Sequence, residues 1–89
     1  MNKKDIKKLT EKLDVLYTID FVQIIIEKIL DSLKKDKIIN ISGNVATGKS
    51  YLAGILKSHV KKLKINDFSG FVEKTDYSIH IRKKDWLNS

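Results

Sequence analysis

Residues 38–63 read IINISGNVATGKSYLAGILKSHVKKL, and this stretch decides the fold. It opens with the run Ile38–Ile41, whose β-branched residues are typical of a buried strand. Residues 43–50 then satisfy the pattern G-x-x-x-x-G-K-[ST] at every position. From Lys49 to about Lys64, apolar residues recur at spacings of three and four, which predicts a helix. The order is therefore a strand, a glycine-containing loop and a helix.

Each residue type in this loop has a physical role in holding phosphate. Gly43 and Gly48 permit backbone angles and close approaches that a Cβ atom would block. The backbone amides that follow can converge on phosphate oxygens, and the start of the helix adds its positive end. Lys49 can reach the terminal phosphates, and the hydroxyl of Ser50 can bind Mg²⁺. The predicted nucleotide-binding residues are Gly43, Asn44, Val45, Ala46, Thr47, Gly48, Lys49 and Ser50, with Ser50 also bound to the nucleotide's Mg²⁺.

The stretch KIINISGNVATGKSYLAGIL, residues 37–56, resembles the first β-strand, Walker A loop and first helix of P-loop NTPases. Its character is similar to helicase-loader and transposition-helper ATPases and to small nucleotide-dependent kinases. The resemblance implies ATP or another nucleoside triphosphate as ligand, together with Mg²⁺. It also implies that Lys49 contacts the terminal phosphates, Ser50 the metal, and Gly43 to Gly48 the phosphate groups.

The chain departs from that family after Leu63. P-loop NTPases have a larger parallel sheet and place a second, metal-side carboxylate after an apolar strand. Here Phe71-Val72-Glu73 is too short a run, and Asp76 and Asp85 follow polar residues. We therefore expect nucleotide binding with little intrinsic hydrolysis, at most a weak NTPase, acting as a switch, a subunit or a remnant.

The chain of 89 residues has room for one small domain, residues 1–89. Residues 1–36 are predicted as a helical part, with helices from about Lys3 to Leu16 and from Thr18 to Lys35. Residues 37–89 are predicted as the P-loop-like unit followed by a C-terminal hairpin over Gly70–Arg82. The expected fold is thus α/β or α+β, with N-terminal helices packed on a short sheet. Because helix 18–35 is apolar on more than one side, it could also mediate oligomerisation.

The charge of the chain favours an anionic partner. The formal net charge is +7, and residues 37–89 supply +6 of it. Such asymmetry attracts nucleotides, nucleic acid or an acidic protein partner. There is no cysteine, no signal-type N-terminus and no apolar run of membrane-spanning length, so we expect a cytoplasmic protein without membrane contact. A possible nucleic-acid surface comprises Lys57, Lys61, Lys64, Arg82, Lys83 and Lys84.

Two alternatives remain open at this stage. A winged-helix DNA-binding domain would use Ile38–Ile41 as its first strand and Gly70–Arg82 as its wing. A small inhibitor of phage or plasmid type would act by protein contact and would leave little sequence signature. Neither His59 nor His80 has a second histidine or a carboxylate at ligand spacing, so no metal site held by protein residues alone is predicted.

Overall fold

Strand β1, Ile38–Ser42, is the central strand of a parallel three-stranded sheet in the computed structural model, which describes residues 3–67 and 77–88. On one side β1 pairs with β2, Lys64–Asp67, and on the other with β3, Ser78–His80. The register places Ile41 beside both Asp67 and Ile79. The carboxyl ends of all three strands therefore lie at one edge of the sheet, where the 43–48 loop begins.

Three helices supply the rest of the core: α1 (Lys3–Asp14), α2 (Ile19–Lys35) and α3 (Lys49–His59). Helix α2 packs on β1 and β3, α3 packs on β1 and β2, and α1 packs on α2 and α3. A 3₁₀ turn, Lys83–Asp85, follows β3. The single core confirms the predicted small α/β domain with N-terminal helices on a short sheet.

The two faces of β1 differ sharply in burial. Ile39 and Ile41 are fully buried, whereas Ile38 is 46% exposed, and Asn40 and Ser42 are only partly buried. Alternate side chains of a strand point to opposite faces, so the helices cover the face that carries Ile39 and Ile41. That packing fixes the register of β1 and, with it, the point at which the loop leaves the sheet.

The third helix is shorter than its apolar pattern predicted. We expected it to continue to about Lys64, but it ends at His59, and the chain enters β2 at Lys64. Val60 and Leu63 are buried all the same, because the turn between α3 and β2 directs them into the core. The three-residue spacing of Val60 and Leu63 is therefore compatible with a turn as well as with a helix. Strand β2 was consequently not predicted.

The predicted C-terminal hairpin is described only in its second arm. Residues 68–76, which include most of the proposed first arm and its turn, lie outside the described residues. Ser78–His80 pairs in parallel with β1, so it is a strand of the main sheet. The wing of the winged-helix alternative would occupy the same residues, and its described half has the same parallel pairing. No helix in the described ranges is long and apolar enough to span a bilayer.

We expect Ile41→Ala to destabilise the fold by about 2–5 kcal/mol, because it removes a fully buried side chain and leaves a cavity. Ile38→Ala is the matched control on the same strand, and it should cost far less because Ile38 is half exposed. Urea unfolding followed by circular dichroism measures both. Equal losses would contradict the register of β1.

Candidate phosphate-binding site

The loop between β1 and α3 is held by a tight turn. The backbone N–H of Thr47 donates to the carbonyl of Asn44 at 3.3 Å, and the Thr47 hydroxyl donates to the same oxygen at 2.7 Å. Thr47 is buried, whereas the side chains of Asn44, Val45 and Ala46 are exposed at the tip. The tip of the loop, residues 44–46, is thus exposed to solvent, while Thr47 is buried and held by its two hydrogen bonds to Asn44.

Two loop residues have left-handed backbone conformations. Ala46 has φ of 68° and Gly48 has φ of 85°. A left-handed residue followed by right-handed ones turns successive N–H groups toward a common point, an arrangement that binds anions. Glycine adopts this conformation freely, but alanine does so at a cost of roughly 1–2 kcal/mol. The conformation of Ala46 must therefore be enforced by the surrounding contacts.

Helix α3 begins at this point without a side-chain cap. Its N-cap residue is Gly48, its first turn has no acidic residue, and its first helical bond runs from the Leu52 N–H to the Gly48 carbonyl. The amides of Lys49, Ser50 and Tyr51 therefore have no helical acceptor. Donors at the positive end of a helix are suited to phosphate oxygens.

Trp86 packs directly against the loop. Its indole N–H donates to the Thr47 carbonyl at 2.8 Å. A Cβ atom on Gly48 would lie 2.4 Å from the indole ring, and one on Gly43 would lie 2.6 Å from the Thr47 hydroxyl and 2.8 Å from the Ile81 carbonyl. Both motif glycines are thus required by contacts within this chain, in addition to any approach of a ligand.

The segment that carries Trp86 is fastened to the connection between α1 and α2. The Thr18 N–H donates to the Asp85 carbonyl at 2.9 Å, and the Leu87 N–H donates to the Leu16 carbonyl at 3.0 Å. The Asp85 carboxylate is buried and accepts the Arg82 N–H at 2.9 Å, which closes the 3₁₀ turn. Trp86 is partly buried against the core, whereas the side chain of Leu87 is 51% exposed.

An aromatic cluster lies beneath the loop. The Tyr17 ring contacts Trp86 with centroids 4.6 Å apart and Phe21 at 5.4 Å, and Tyr51 contacts Trp86 at 5.9 Å. Burial, followed by the nearby Tyr51, raises the pKa of the Tyr17 phenol well above its usual value. Tyr17 therefore stays neutral at physiological pH and serves as packing for Trp86.

Lys49 and Lys83 carry the positive charge next to the loop. Lys49 begins α3, and Lys83 lines a cleft beside Ala46, Thr47 and Gly48. Within residues 3–67 and 77–88, neither lysine forms an ion pair. Both charges are therefore available to an anion at this edge.

The structure does not bring the proposed nucleic-acid residues together. Lys61 follows α3 at the amino end of β2, and Lys64 pairs with Asp36 at 3.2 Å. Residues 82–84 follow β3 at the opposite, carboxyl end. Strands of this length separate the two ends by about 13–17 Å. The row Lys57, Lys61 and Lys64 is not on one helix, because α3 ends at His59.

A cleft lies at each end of α3. The one beside the loop has a volume of about 430 Å³ and is lined by Val15, Leu16, Ala46, Thr47, Gly48, Lys83, Trp86 and Asn88. The other, of about 590 Å³, lies at the far end of α3 and includes Lys8, Lys61 and Lys62. The C-terminal end of α3, where the helix dipole is negative, lies at the larger cleft. The helix dipole therefore disfavours an anion in that cleft.

Each of the two histidines has a hydrogen-bonding partner close to it. His59 Nδ1 lies 2.9 Å from the Ile55 carbonyl at the end of α3, and His80 Nδ1 lies 3.0 Å from the Ser42 hydroxyl across β1 and β3. Within the described ranges, no group of three or more histidine, cysteine, aspartate or glutamate residues could hold a metal ion.

Sequence reasoning missed two features of this edge. The whole of strand β2 was missed, and its last residue, Asp67, lies level with Ile41. The cleft of Leu16, Trp86 and Asn88 was also missed, because its residues are far apart in sequence. The only indication of this cleft in the sequence was that Leu16, at the end of the first predicted helix, and Trp86, near the C-terminus, are apolar.

Comparisons of the chain with protein-family models, curated proteins and solved structures found no match.

We expect Gly48→Ala to destabilise the protein by about 1–3 kcal/mol, because the new Cβ atom has an unfavourable φ and overlaps the Trp86 ring. Gly54→Ala is the control on the same helix. Its Cβ atom meets nothing within 4 Å, and alanine is the better helix former, so it should stabilise by about 0.5–1 kcal/mol. Thermal unfolding measures both variants. A neutral Gly48→Ala would contradict the contact between the loop and Trp86.

Proposed function

We propose that this protein binds a nucleoside triphosphate of ATP type with Mg²⁺ through residues 43–50. The role is that of a switch, a subunit or a remnant of a P-loop NTPase, with little intrinsic hydrolysis. A cytoplasmic location belongs to the same proposal.

One observation carries the proposal. The complete G-x-x-x-x-G-K-[ST] motif lies between strand β1 and helix α3, has left-handed residues at Ala46 and Gly48, and ends in a helix start that has no side-chain cap. A protein that used this loop only as a connection would gain stability from a capping side chain at the start of α3. It would also gain from an acidic residue in the first helical turn, where this chain has Lys49 instead. A bound triphosphate would supply the missing acceptors and the missing negative charge together.

The residues at the start of α3 also suit a magnesium ion brought by the nucleotide. Mg²⁺ retains several waters and takes one or two protein oxygens together with phosphate oxygens. The Ser50 side chain is exposed, and no hydrogen bond holds its hydroxyl elsewhere within the described residues. Its hydroxyl is the one that would bind the ion, which would neutralise charge on the phosphates.

The first test compares Lys49→Ala with the unsubstituted protein in titrations with ATP and Mg²⁺. Trp86 is the single tryptophan, so its fluorescence reports on the loop directly. We expect ATP to change that fluorescence and to raise the melting temperature, since a ligand that binds only the folded state stabilises it. Lys49→Ala should weaken ATP binding by about ten- to a hundredfold or more, the equivalent of a charge-assisted hydrogen bond of roughly 1.5–3 kcal/mol.

Lys57→Ala is the control for loss of general charge. Lys57 lies on the same helix about 12 Å further along, where its effect on the phosphates is screened. Without ligand, Lys49→Ala should leave the fold intact, because the lysine opposes the helix dipole. Equal weakening by both substitutions would indicate a diffuse polyanion surface. A salt-sensitive shift with duplex DNA and none with ATP would instead favour the winged-helix alternative.

We expect turnover of ATP by the isolated chain to be negligible. Phosphoryl transfer requires a positioned water and metal as well as bound phosphates. Asp85, a carboxylate on the segment that packs against the loop, is buried and already accepts a backbone N–H. Release of inorganic phosphate under saturating ATP and Mg²⁺ measures the rate. Steady turnover near 1 s⁻¹, a typical order for enzymes, would show that a catalytic residue has been overlooked.

A further inference from the structure

We propose that Lys83 is a second cationic ligand of the phosphate chain, in addition to Lys49. This inference rests on the proposed binding of a triphosphate by residues 43–50. Lys83 lies outside the G-x-x-x-x-G-K-[ST] motif and far from it in sequence. The structure nevertheless places it in the cleft of about 430 Å³ whose wall includes residues 46–48 of the loop.

The cleft and the phosphate donors share one wall. Gly48 lines the cleft and is also the N-cap residue of α3, directly before the amides of Lys49 and Ser50. Ala46, the other left-handed residue of the loop, lines the cleft as well. An anion bound to these amides is therefore next to the cleft. A lysine side chain is a flexible stem of four carbons that ends in three donors, so Lys83 can reach that anion.

The backbone that carries Lys83 is held close to the loop. The Trp86 backbone N–H donates to the Lys83 carbonyl at 3.2 Å, and the Trp86 indole N–H donates to the Thr47 carbonyl at 2.8 Å. The Asp85 carboxylate closes the 3₁₀ turn by accepting the Arg82 N–H at 2.9 Å. Because this backbone is already ordered, binding of a phosphate group by Lys83 has to immobilise only the side chain.

The charge of Lys83 is not balanced within the protein. Among the residues that the structure describes, Lys83 forms no ion pair, and no carboxylate lines the cleft. The nearby Asp85 carboxylate is buried and lies 3.6 Å from Arg82 Nε. One Mg²⁺ ion and Lys49 do not fully neutralise a triphosphate. A second lysine at the same edge supplies the remaining positive charge.

The test measures the binding of ATP and of inorganic tripolyphosphate, each with Mg²⁺, by calorimetry. We expect Lys83→Ala to weaken both ligands by about 3- to 30-fold, between the effects of losing an exposed ion pair and a charge-assisted hydrogen bond. The factor should be the same for both ligands, because tripolyphosphate has the phosphate groups of ATP without the nucleoside. Lys83→Arg keeps a cationic donor and should recover most of the affinity.

Lys84→Ala is the matched control for loss of charge. Lys84 is the next residue of the same 3₁₀ turn, it is exposed, and it is not among the residues that line the cleft. Its removal should change either affinity by less than about twofold, as expected for a screened surface charge. Without ligand, Lys83→Ala should leave the melting temperature unchanged, whereas a purely structural role would lower it.

The outcomes separate this inference from the proposed function. If Lys49→Ala weakens both ligands and Lys83→Ala weakens neither, the role of Lys83 is overturned while phosphate binding by the loop stands. Equal losses from Lys83→Ala and Lys84→Ala, a loss for ATP alone, or a lower melting temperature of Lys83→Ala without ligand would also overturn it. If the unsubstituted protein binds neither ATP nor tripolyphosphate, the proposed function itself fails, and the role of Lys83 fails with it.

Discussion

The hydrogen bond from the Trp86 indole to the Thr47 carbonyl is the contact on which this edge of the protein depends. It fixes the loop between two left-handed residues, Ala46 and Gly48, one of which is strained. The indole ring occupies the space that a side chain at Gly48 would need. Without Trp86 the loop would lose both the bond and the packing that oppose the strain at Ala46. The free amides at the start of α3 follow directly in the chain after the residues that this contact holds.

Trp86 can hold the loop because it is itself held from the opposite side. Tyr17 packs under its ring, and backbone bonds at Thr18 and Leu87 fasten the segment to the connection between α1 and α2. The N-terminal helices thus contribute more than a hydrophobic cover for the sheet. Their connection also holds the segment that packs against the loop.

The local part of this arrangement could be predicted from the sequence, and the long-range part could not. Strand β1, the loop and the start of α3 are encoded by contiguous residues with strong periodicity and glycine placement, so their order was evident. Strand β2 is four residues long and follows a helix whose apolar stripe continues through Val60 and Leu63, so nothing in the pattern marked the boundary. The parallel pairing of β3 with β1, and the position of Trp86 against Gly48, depend on tertiary packing that single-sequence periodicity does not contain.

The backbone pairing that joins residues 16–18 to residues 85–87, with Tyr17 opposite Trp86, also has a consequence for the order of folding. It joins residues that are separated by most of the chain, so closing it costs more chain entropy than any local contact. The strand–loop–helix unit, by contrast, is built from neighbours and can form early. Completion of the loop is therefore tied to the slowest class of contact in the molecule, so an incompletely folded chain would contain the strand and helix without the contact that holds the loop between them.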